Sequence, residues 1–183
     1  MVTLNLDKVF NPKSVAIIGA SDEEGSVGYA IVKNFTQLGY AGKVYLVNIR
    51  KPEILGMKTY QNVEQIPEPV DLAMIATPAK TVPAVVEECG RSGVKGVIIV
   101  SAGFKETGAE GKALEDKILE ITKKYGMRAI GPNCIGVLAP NQRLNASFAH
   151  CMPPAGRTAF VTQSGAMLTA ISLSITDCKA IIV

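Results

Sequence analysis

The chain has 183 residues, of which 48% are hydrophobic and 19% charged, and its formal net charge is +3. This composition predicts a substantial buried core and excludes intrinsic disorder, while a small charge carried by scattered basic residues gives no indication of nucleic-acid binding. The four cysteines form no CxxC pair and no compact cluster with the single histidine, so neither a zinc site nor a disulfide framework is expected.

The beginning of the chain lacks the long apolar core of a signal peptide, and no run of about 18 apolar residues occurs. The cysteine pattern also fits a reducing compartment. We therefore predict a cytoplasmic protein with no membrane partner. The length suffices for one domain and the beginning of a second.

Short apolar runs alternate with helix-length segments over the first 130 residues, which is typical of βαβ units around a parallel sheet. The predicted strands are 15–18, 44–47, 72–76, 97–100 and 128–130. The predicted helices are 29–38, 82–89 and 109–125. In the last helix Leu114, Ile118, Ile121 and Tyr125 fall on one face. With right-handed crossovers these elements predict a Rossmann-like, doubly wound α/β fold.

The pattern changes after residue 130. Four prolines between residues 131 and 157 predict a linker with few regular elements. A strand at 159–161 then leads through TQSG into a helix, and 180–183 has the composition of another buried strand. We predict a first domain over 1–155 and the incomplete beginning of a second α/β domain over 156–183. The last strand alone would leave an apolar edge, so we expect it to be covered by another chain or to add to the first domain.

The segment from Gly19 to Gly28, GASDEEGSVG, joins the first strand to its helix. Backbone N–H groups at a helix N-terminus bind phosphates, and glycine allows the backbone to turn with positive φ or to approach a ligand closely. Ser21 stands where the dinucleotide fingerprint G-x-G-x-x-G has its second glycine, and the later glycines fall at 25 and 28, which disfavours NAD. An ordinary glycine-rich turn remains the alternative.

The second strand ends in Asn48-Ile49-Arg50-Lys51, where NAD-binding proteins usually carry an acidic residue that holds the ribose. Basic groups at this point suit a phosphate on the ribose, as in coenzyme A or NADP. Two solvated surface cations are the alternative interpretation.

Three further segments follow strands at the same predicted edge of the sheet, where open α/β folds bind their ligands. They are Thr77-Pro78-Ala79, Ser101-Ala102-Gly103 and Gly131-Pro132-Asn133-Cys134. No Ser-His-Asp set and no pair of poised carboxylates is evident, so the cleft suits binding better than chemistry.

Taken together, the chain resembles the N-terminal coenzyme A-binding region of ADP-forming acyl-CoA synthetases, which are relatives of the succinyl-CoA ligase α subunit. The matching stretches are SVAIIGAS, GKVYLVN, VDLAMIATPA, GVKGVIIVSAGFKE, YGMRAIGPNCIGV, LNASFAHCMP and FVTQSGA. The combination of GPNC with SAGF is specific to the family, whereas either motif alone is not.

The resemblance implies a role for each candidate residue in binding coenzyme A. The loop containing Gly19, Ser21, Gly25 and Val27 would hold its phosphates, and Asn48, Arg50 or Lys51 would meet the ribose phosphate end. The path of the adenosine or the pantetheine would be lined by Thr77, Pro78, Ala79, Ser101, Ala102 and Gly103. Asn133 and Cys134 would lie towards the thiol, although the residue type itself favours a buried structural cysteine at position 134 over a functional thiol.

The resemblance also implies that Ser164 and Gly165 bind the transferable phosphate at a helix N-terminus of a flavodoxin-like second domain. The family's phosphohistidine has no counterpart, because the single histidine, His150, lies in the proline-rich connection and is expected to be an exposed loop residue. The chain would then be part of an enzyme that converts acyl-CoA, ADP and phosphate to acid, ATP and coenzyme A.

A β subunit or further domains with an ATP-grasp module would complete that enzyme, in a homo- or hetero-oligomer. Two alternatives stay open at this point. One is a stand-alone or fused regulatory coenzyme A-binding module, for example of a protein acetyltransferase. The other is an NADP-binding Rossmann domain, for which no hydride-transfer residues can be named.

Overall fold

A seven-stranded sheet forms the centre of the computed structural model, which describes residues 5–165, 167 and 178–182. The strands are β1 (Ser14–Ile18), β2 (Lys43–Val47), β3 (Glu53–Ile54), β4 (Met57–Tyr60), β5 (Leu72–Ile75), β6 (Gly96–Ile99) and β7 (Arg128–Ile130). Their order is β3-β4-β2-β1-β5-β6-β7, and every neighbouring pair is parallel except β3 with β4. The predicted doubly wound, Rossmann-like sheet is confirmed, with β1 near its centre.

Helices cover both faces of this sheet. They are α1 (Leu6–Phe10), α2 (Val27–Gln37), α3 (Val82–Arg91) and α4 (Ala109–Tyr125). Along β1, Ala16 and Ile18 join the core under α3 and α4, while Val15 and Ile17 join the core under α1 and α2. All five residues of β1 are buried, as a strand covered on both faces requires.

The sequence did not predict the edge hairpin of β3 and β4. Its strands have two and four residues, and Leu55 and Gly56 turn the chain with φ values of 49° and 78°. Positive φ at both central positions is the geometry of a two-residue hairpin turn. Strands this short have too few residues to show an alternating pattern, so no local signal predicts them.

The prediction of a linker over residues 131–157 is wrong. Two buried strands, β8 (Gly136–Ala139) and β9 (Leu144–Ser147), form an antiparallel hairpin in this segment. With β10 (Ala155–Val161) and β11 (Cys178–Ile182) they make a second sheet of order β10-β11-β8-β9. The prolines are compatible with these strands because Pro140 begins the turn inside the hairpin and Pro153 and Pro154 follow it.

The hairpin of β8 and β9 packs on α2, a helix of the seven-stranded sheet. Strand β9 lies against α2, and Val137, Ala139, Leu144 and Ala146 belong to the same core as the buried side of α2. Strand β11 pairs on one side with β10 and on the other with β8. The second sheet therefore takes strands from both sides of residue 155, and the domain boundary at that residue stays a prediction.

The helix predicted after TQSG falls outside the described residues, apart from Gly165 and Met167. Over the ranges that the structure describes, no helix combines the length and the hydrophobicity needed to span a membrane.

Candidate functional site

The carboxyl ends of five adjacent strands meet at one edge of the large sheet, in the order β2-β1-β5-β6-β7. Each of these strands leads into one of the segments that the sequence singled out. At about 4.8 Å between neighbouring strands, the row is about 19 Å long. The row can therefore accommodate one elongated ligand, with the glycine loop after β1 in second place, next to the end of β2.

Two glycines fix the shape of this loop. Gly19 has a φ of 90°, its N–H donates to the Val47 carbonyl at 3.1 Å, and a Cβ there would lie 2.5 Å from the Ala76 oxygen. A Cβ on Gly28 would lie only 2.1 Å from the Gly19 oxygen. The first turn of α2 thus touches the backbone of the loop, at a distance that only glycine permits.

Ser26 caps α2. Its Oγ accepts a hydrogen bond from the Tyr29 N–H at 3.2 Å and donates to the Glu23 carbonyl at 2.8 Å. The N–H groups of Val27 and Gly28 precede the first intrahelical donor, Ala30, and α2 carries no acidic residue in its first turn. The positive end of the helix dipole is therefore available to an anion.

Ser21 shapes the loop, because its Oγ accepts the Glu23 N–H at 3.0 Å. Gly25 has a φ of 83°, and no atom lies within 4 Å of the position that a Cβ would take there. Ser21 and Gly25 both lie in the loop before α2, as predicted, and Val27 is the first residue of the helix.

The Asn48 side chain ties the end of β2 to the glycine loop. Its Nδ2 donates to the Ala20 carbonyl at 2.9 Å, and its Oδ1 accepts the N–H groups of Arg50 at 2.8 Å and Lys51 at 2.9 Å. The ammonium group of Lys51 forms an ion pair with Asp22, and this hydrogen bond holds the pKa of the Asp22 carboxyl below its ordinary value. Asn48, Arg50 and Lys51 are therefore brought together beside the loop.

A first groove, of about 420 Å³, lies at this end of the row. It is lined by Asn48, Ile49, Arg50, Lys51, Pro52, Thr59, Gln61 and Gln65. Ile49 is 76% exposed, so the groove also presents an apolar surface beside its two basic residues.

A second groove, of about 340 Å³, lies over the ends of β5, β6 and β7. It is lined by Val27, Ala76, Thr77, Val100, Ser101, Ala102, Asn133 and Phe148. The Ser101 Oγ donates to the Thr77 carbonyl at 2.6 Å, and the Asn133 N–H donates to the Ser101 carbonyl at 2.9 Å. These bonds connect the three strand ends into one surface without any charged side chain.

Three of the predicted residues, Pro78, Ala79 and Gly103, are not among the lining residues of the second groove. Pro78 precedes a short 3₁₀ turn that begins at Ala79, and the Pro78 carbonyl accepts the Thr81 N–H at 2.8 Å. A Cβ on Gly103 would lie 3.0 Å from the Ala79 Cβ. The Gly103 N–H donates to Glu106 at 2.7 Å, and this bond lowers the pKa of the Glu106 carboxyl.

Cys134 follows the cis Gly131–Pro132 bond and Asn133, whose φ is 53°. Its Sγ lies 3.3 Å from the Ile99 carbonyl, and burial raises the pKa of the thiol to about 12. Cys134 lies near the second groove but is absent from its lining residues. The geometry suits a structural thiol better than a nucleophile.

Cys134 is accordingly expected to resist alkylation by iodoacetamide at pH 8. Because its pKa is raised to about 12, only about one thiol in ten thousand is ionised at that pH. Peptide mass spectrometry after a timed reaction measures the modification, with the protein in urea as the fully reactive control. Modification of Cys134 in the folded protein as fast as in urea would contradict this assignment.

Ser164 and Gly165 form a separate turn after β10. The Ser164 Oγ accepts the Met167 N–H at 3.4 Å, and the Ser164 N–H donates to Thr162 at 3.0 Å. A Cβ on Gly165 would lie 2.6 Å from Ile135, the residue after Cys134. This turn, which the sequence assigned to another domain, therefore lies beside Ile135, two residues along the chain from Asn133 of the second groove.

Sequence reasoning missed Phe148 and Ile49 among the groove residues. Phe148 reaches the second groove from the end of β9, in the segment predicted as a linker, and only its presence in the quoted stretch LNASFAHCMP could have pointed to it. Ile49 lies within the predicted segment Asn48-Ile49-Arg50-Lys51, but its apolar side chain gives no signal for a phosphate site.

His150 is exposed, as predicted, and lies beside Tyr29 and Lys33 of α2, not in either groove. In the part of the chain that the structure describes, no group of three or more His, Cys, Asp or Glu side chains could hold a metal ion.

Comparisons with known proteins give a consistent result. A family model described as a CoA binding domain matches residues 13–140. The α subunit of acetate–CoA ligase (ADP-forming) I from Pyrococcus furiosus is 49% identical over 168 residues, which cover 90% of this chain and 36% of that subunit. A 4-hydroxybutyrate–CoA ligase (ADP-forming) from Nitrosopumilus maritimus is 41% identical over 165 residues, covering 89% of this chain and 24% of the ligase.

Among solved structures, the chain is similar to the dinucleotide-forming acetyl-coenzyme A synthetase 1 of Candidatus Korarchaeum cryptofilum, in complex with phosphate and ADP. The TM-score is 0.89 at 36% identity, and the match covers 98% of this chain and 39% of that one. The chain therefore spans well under half the length of each of these proteins.

Proposed function

This chain belongs to the CoA-binding domain family, and from that premise we propose that it is the coenzyme A-binding part of an ADP-forming acyl-CoA synthetase. The observation that carries the proposal is the arrangement of three different surfaces along one sheet edge. A groove with two basic residues, a glycine loop at a helix N-terminus and an uncharged groove follow each other along the row.

Coenzyme A has three chemical parts in the same order. A phosphorylated ribose with its adenine is joined through a diphosphate to a long uncharged pantetheine arm that ends in a thiol. We assign the adenosine end to the first groove, the diphosphate to the loop before α2, and the arm to the second groove. Asn133 and Cys134 then lie towards the thiol, and Ser164 and Gly165 lie near the point where a transferable phosphate would arrive.

In this assignment the described residues bind and orient coenzyme A, and none of them is assigned as an acid or a base at the thiol. The N–H groups of Val27 and Gly28 and the dipole of α2 stabilise the diphosphate. Lys51 exchanges its ion pair with Asp22 for the ribose phosphate. The conversion of acyl-CoA, ADP and phosphate to acid, ATP and coenzyme A requires groups beyond these residues.

A partner domain or subunit would supply those groups, and the name of the relative that is an α subunit supports this. A reducing cytoplasm is the location that we propose for such an enzyme. The acyl group stays open, because the relatives are named for acetate and for 4-hydroxybutyrate. The names of the relatives do not favour the NADP alternative or a regulatory module.

Calorimetric titration of the folded protein with coenzyme A tests the proposal directly. We expect saturable binding with a dissociation constant in the micromolar range or below. A folded sample that shows no binding below millimolar coenzyme A would overturn the proposal.

Lys51→Met is expected to weaken the binding of coenzyme A by about tenfold, as the loss of one partly solvated charge pair of about 1.4 kcal/mol implies. Dephospho-coenzyme A lacks the ribose phosphate, so its affinity should stay unchanged. Lys58→Met is the matched control, because Lys58 is an exposed lysine of the edge hairpin outside the lining of both grooves. Equal losses for both ligands would show that Lys51 does not meet the ribose phosphate.

A further inference from the structure

We propose that Phe148 forms the wall of the second groove against which the pantetheine arm lies, and that Asn34 positions it; this inference rests on the proposed binding of coenzyme A. Phe148 is the one aromatic side chain among the described residues that line this groove. It is half-buried, packs against the core beneath α2, and lines the groove together with Ser101 and Asn133, which follow β6 and β7. An aliphatic arm with amide groups would gain apolar contact from the ring and hydrogen bonds from these polar residues.

Asn34 clamps the backbone on both sides of Phe148. Its Nδ2 donates to the Ser147 carbonyl at 2.8 Å and to the Ala149 carbonyl at 2.9 Å, so both amide hydrogens are used. Asn34 belongs to α2 and is only 7% exposed. The helix whose first turn carries the anion site therefore also determines where the Phe148 ring stands.

Two further buried polar residues strengthen this clamp. Asn145 donates to the Ala149 carbonyl at 3.1 Å, and the Ser147 Oγ accepts the Ala149 N–H at 3.1 Å and donates to Asn145. Asn145 and Ser147 are fully buried. Burying polar groups is unfavourable unless they are hydrogen-bonded, and a connected network holds its members in one geometry. Here the network fixes residues 147 and 149 and leaves the ring between them facing the groove.

Removing the ring separates this role from simple core packing. Phe148→Ala is expected to weaken the binding of coenzyme A about five- to tenfold. The affinity for adenosine 3′,5′-bisphosphate, which lacks the pantetheine arm, should stay unchanged. The matched control is Phe10→Ala, because Phe10 is also half-buried against the same core and lies outside the groove. Unchanged binding of coenzyme A to Phe148→Ala, with normal binding to the wild type, would overturn the inference and leave the proposed function intact.

A fluorescence experiment tests contact without relying on the alanine variant. The chain contains no tryptophan, so Phe148→Trp introduces a single emitter at the groove. We expect its emission to change with coenzyme A and not with adenosine 3′,5′-bisphosphate, whereas Phe10→Trp should respond to neither. A Phe148→Trp protein that binds the bisphosphate but excludes coenzyme A would also support the assignment. An unchanged spectrum at saturating coenzyme A would overturn it.

The positioning role of Asn34 has its own readout. Asn34→Ala should weaken the binding of coenzyme A and leave the binding of the bisphosphate unchanged, as Phe148→Ala does. In the double variant, Asn34→Ala should cause no loss of affinity beyond that of Phe148→Ala alone. Asn34→Ser retains a hydroxyl donor and is the variant to use if the alanine protein does not fold. Additive losses of coenzyme A affinity, or an equal loss for the bisphosphate, would show that Asn34 acts only on the fold.

Discussion

Gly28→Ala is expected to weaken the binding of coenzyme A by more than about tenfold and to lower the free energy of unfolding by about 1–3 kcal/mol. A loss of stability would be informative, because alanine normally stabilises a helix interior by about 1 kcal/mol relative to glycine. Here the added methyl group would lie 2.1 Å from the Gly19 oxygen. Gly19 has little room to shift, because the Ala76 backbone oxygen lies only 2.5 Å from the position that a Cβ on Gly19 would take.

The beginning of α2 would therefore have to move away from the loop, and the N–H groups that we propose bind the diphosphate would move with it. Calorimetry with coenzyme A and urea unfolding measure the two effects. Gly25→Ala is the matched control, since a Cβ there meets no atom within 4 Å and the substitution only places alanine at a φ of 83°. That strain costs about 1–2 kcal/mol of stability, and binding should be largely kept. Similar binding by the two variants would rule out close packing as the reason for glycine at position 28.

Leu144→Ala is expected to lower the free energy of unfolding by about 2–5 kcal/mol, the range for a leucine removed from a closed core. Leu144 lies in β9, has no exposed surface, and shares its core with the buried face of α2. Urea unfolding measures the loss, and hydrogen exchange should show reduced protection of the α2 amides. Both effects are expected because the hairpin of β8 and β9 covers α2, a helix that packs on the seven-stranded sheet.

Leu119→Ala is the control for this prediction, because Leu119 is 51% exposed on α4. The same change of side chain at that position should alter stability by no more than about 0.5 kcal/mol. If Leu144→Ala lowered the free energy of unfolding as little as Leu119→Ala, the hairpin would contribute little to the core. Packing of the hairpin on α2 would then say nothing about the predicted boundary at residue 155.

The central sheet and α4 could be predicted from the sequence because their signals are local. Helix α4 occupies the predicted residues 109–125, with Ile118 and Ile121 buried and Gly126 ending it at a φ of 63°. Strand β1 is a continuous apolar run that both helical layers cover. The rule that ligands bind at the carboxyl ends of parallel strands then brought the five predicted segments together at one edge.

The rest of the site depends on contacts that no local pattern encodes. Phe148 reaches the groove only because β8 and β9 pair and pack on α2, and four-residue strands beside prolines look like a linker. The contact of Gly165 with Ile135 joins segments thirty residues apart. The direction of the Cys134 thiol, towards the Ile99 carbonyl, likewise follows from the packed structure.

The place of β11 between β10 and β8 also governs the order in which the two sheets can be completed on the ribosome. Every strand of the large sheet lies within residues 14–130, so that sheet can close as soon as this stretch has emerged. The hairpin at 136–147 can dock on α2 next, but the outer side of β8 waits for residues 178–182. During that interval a nascent chain presents an open strand edge, which is the period in which pairing with a neighbouring chain, or protection by a chaperone, matters most.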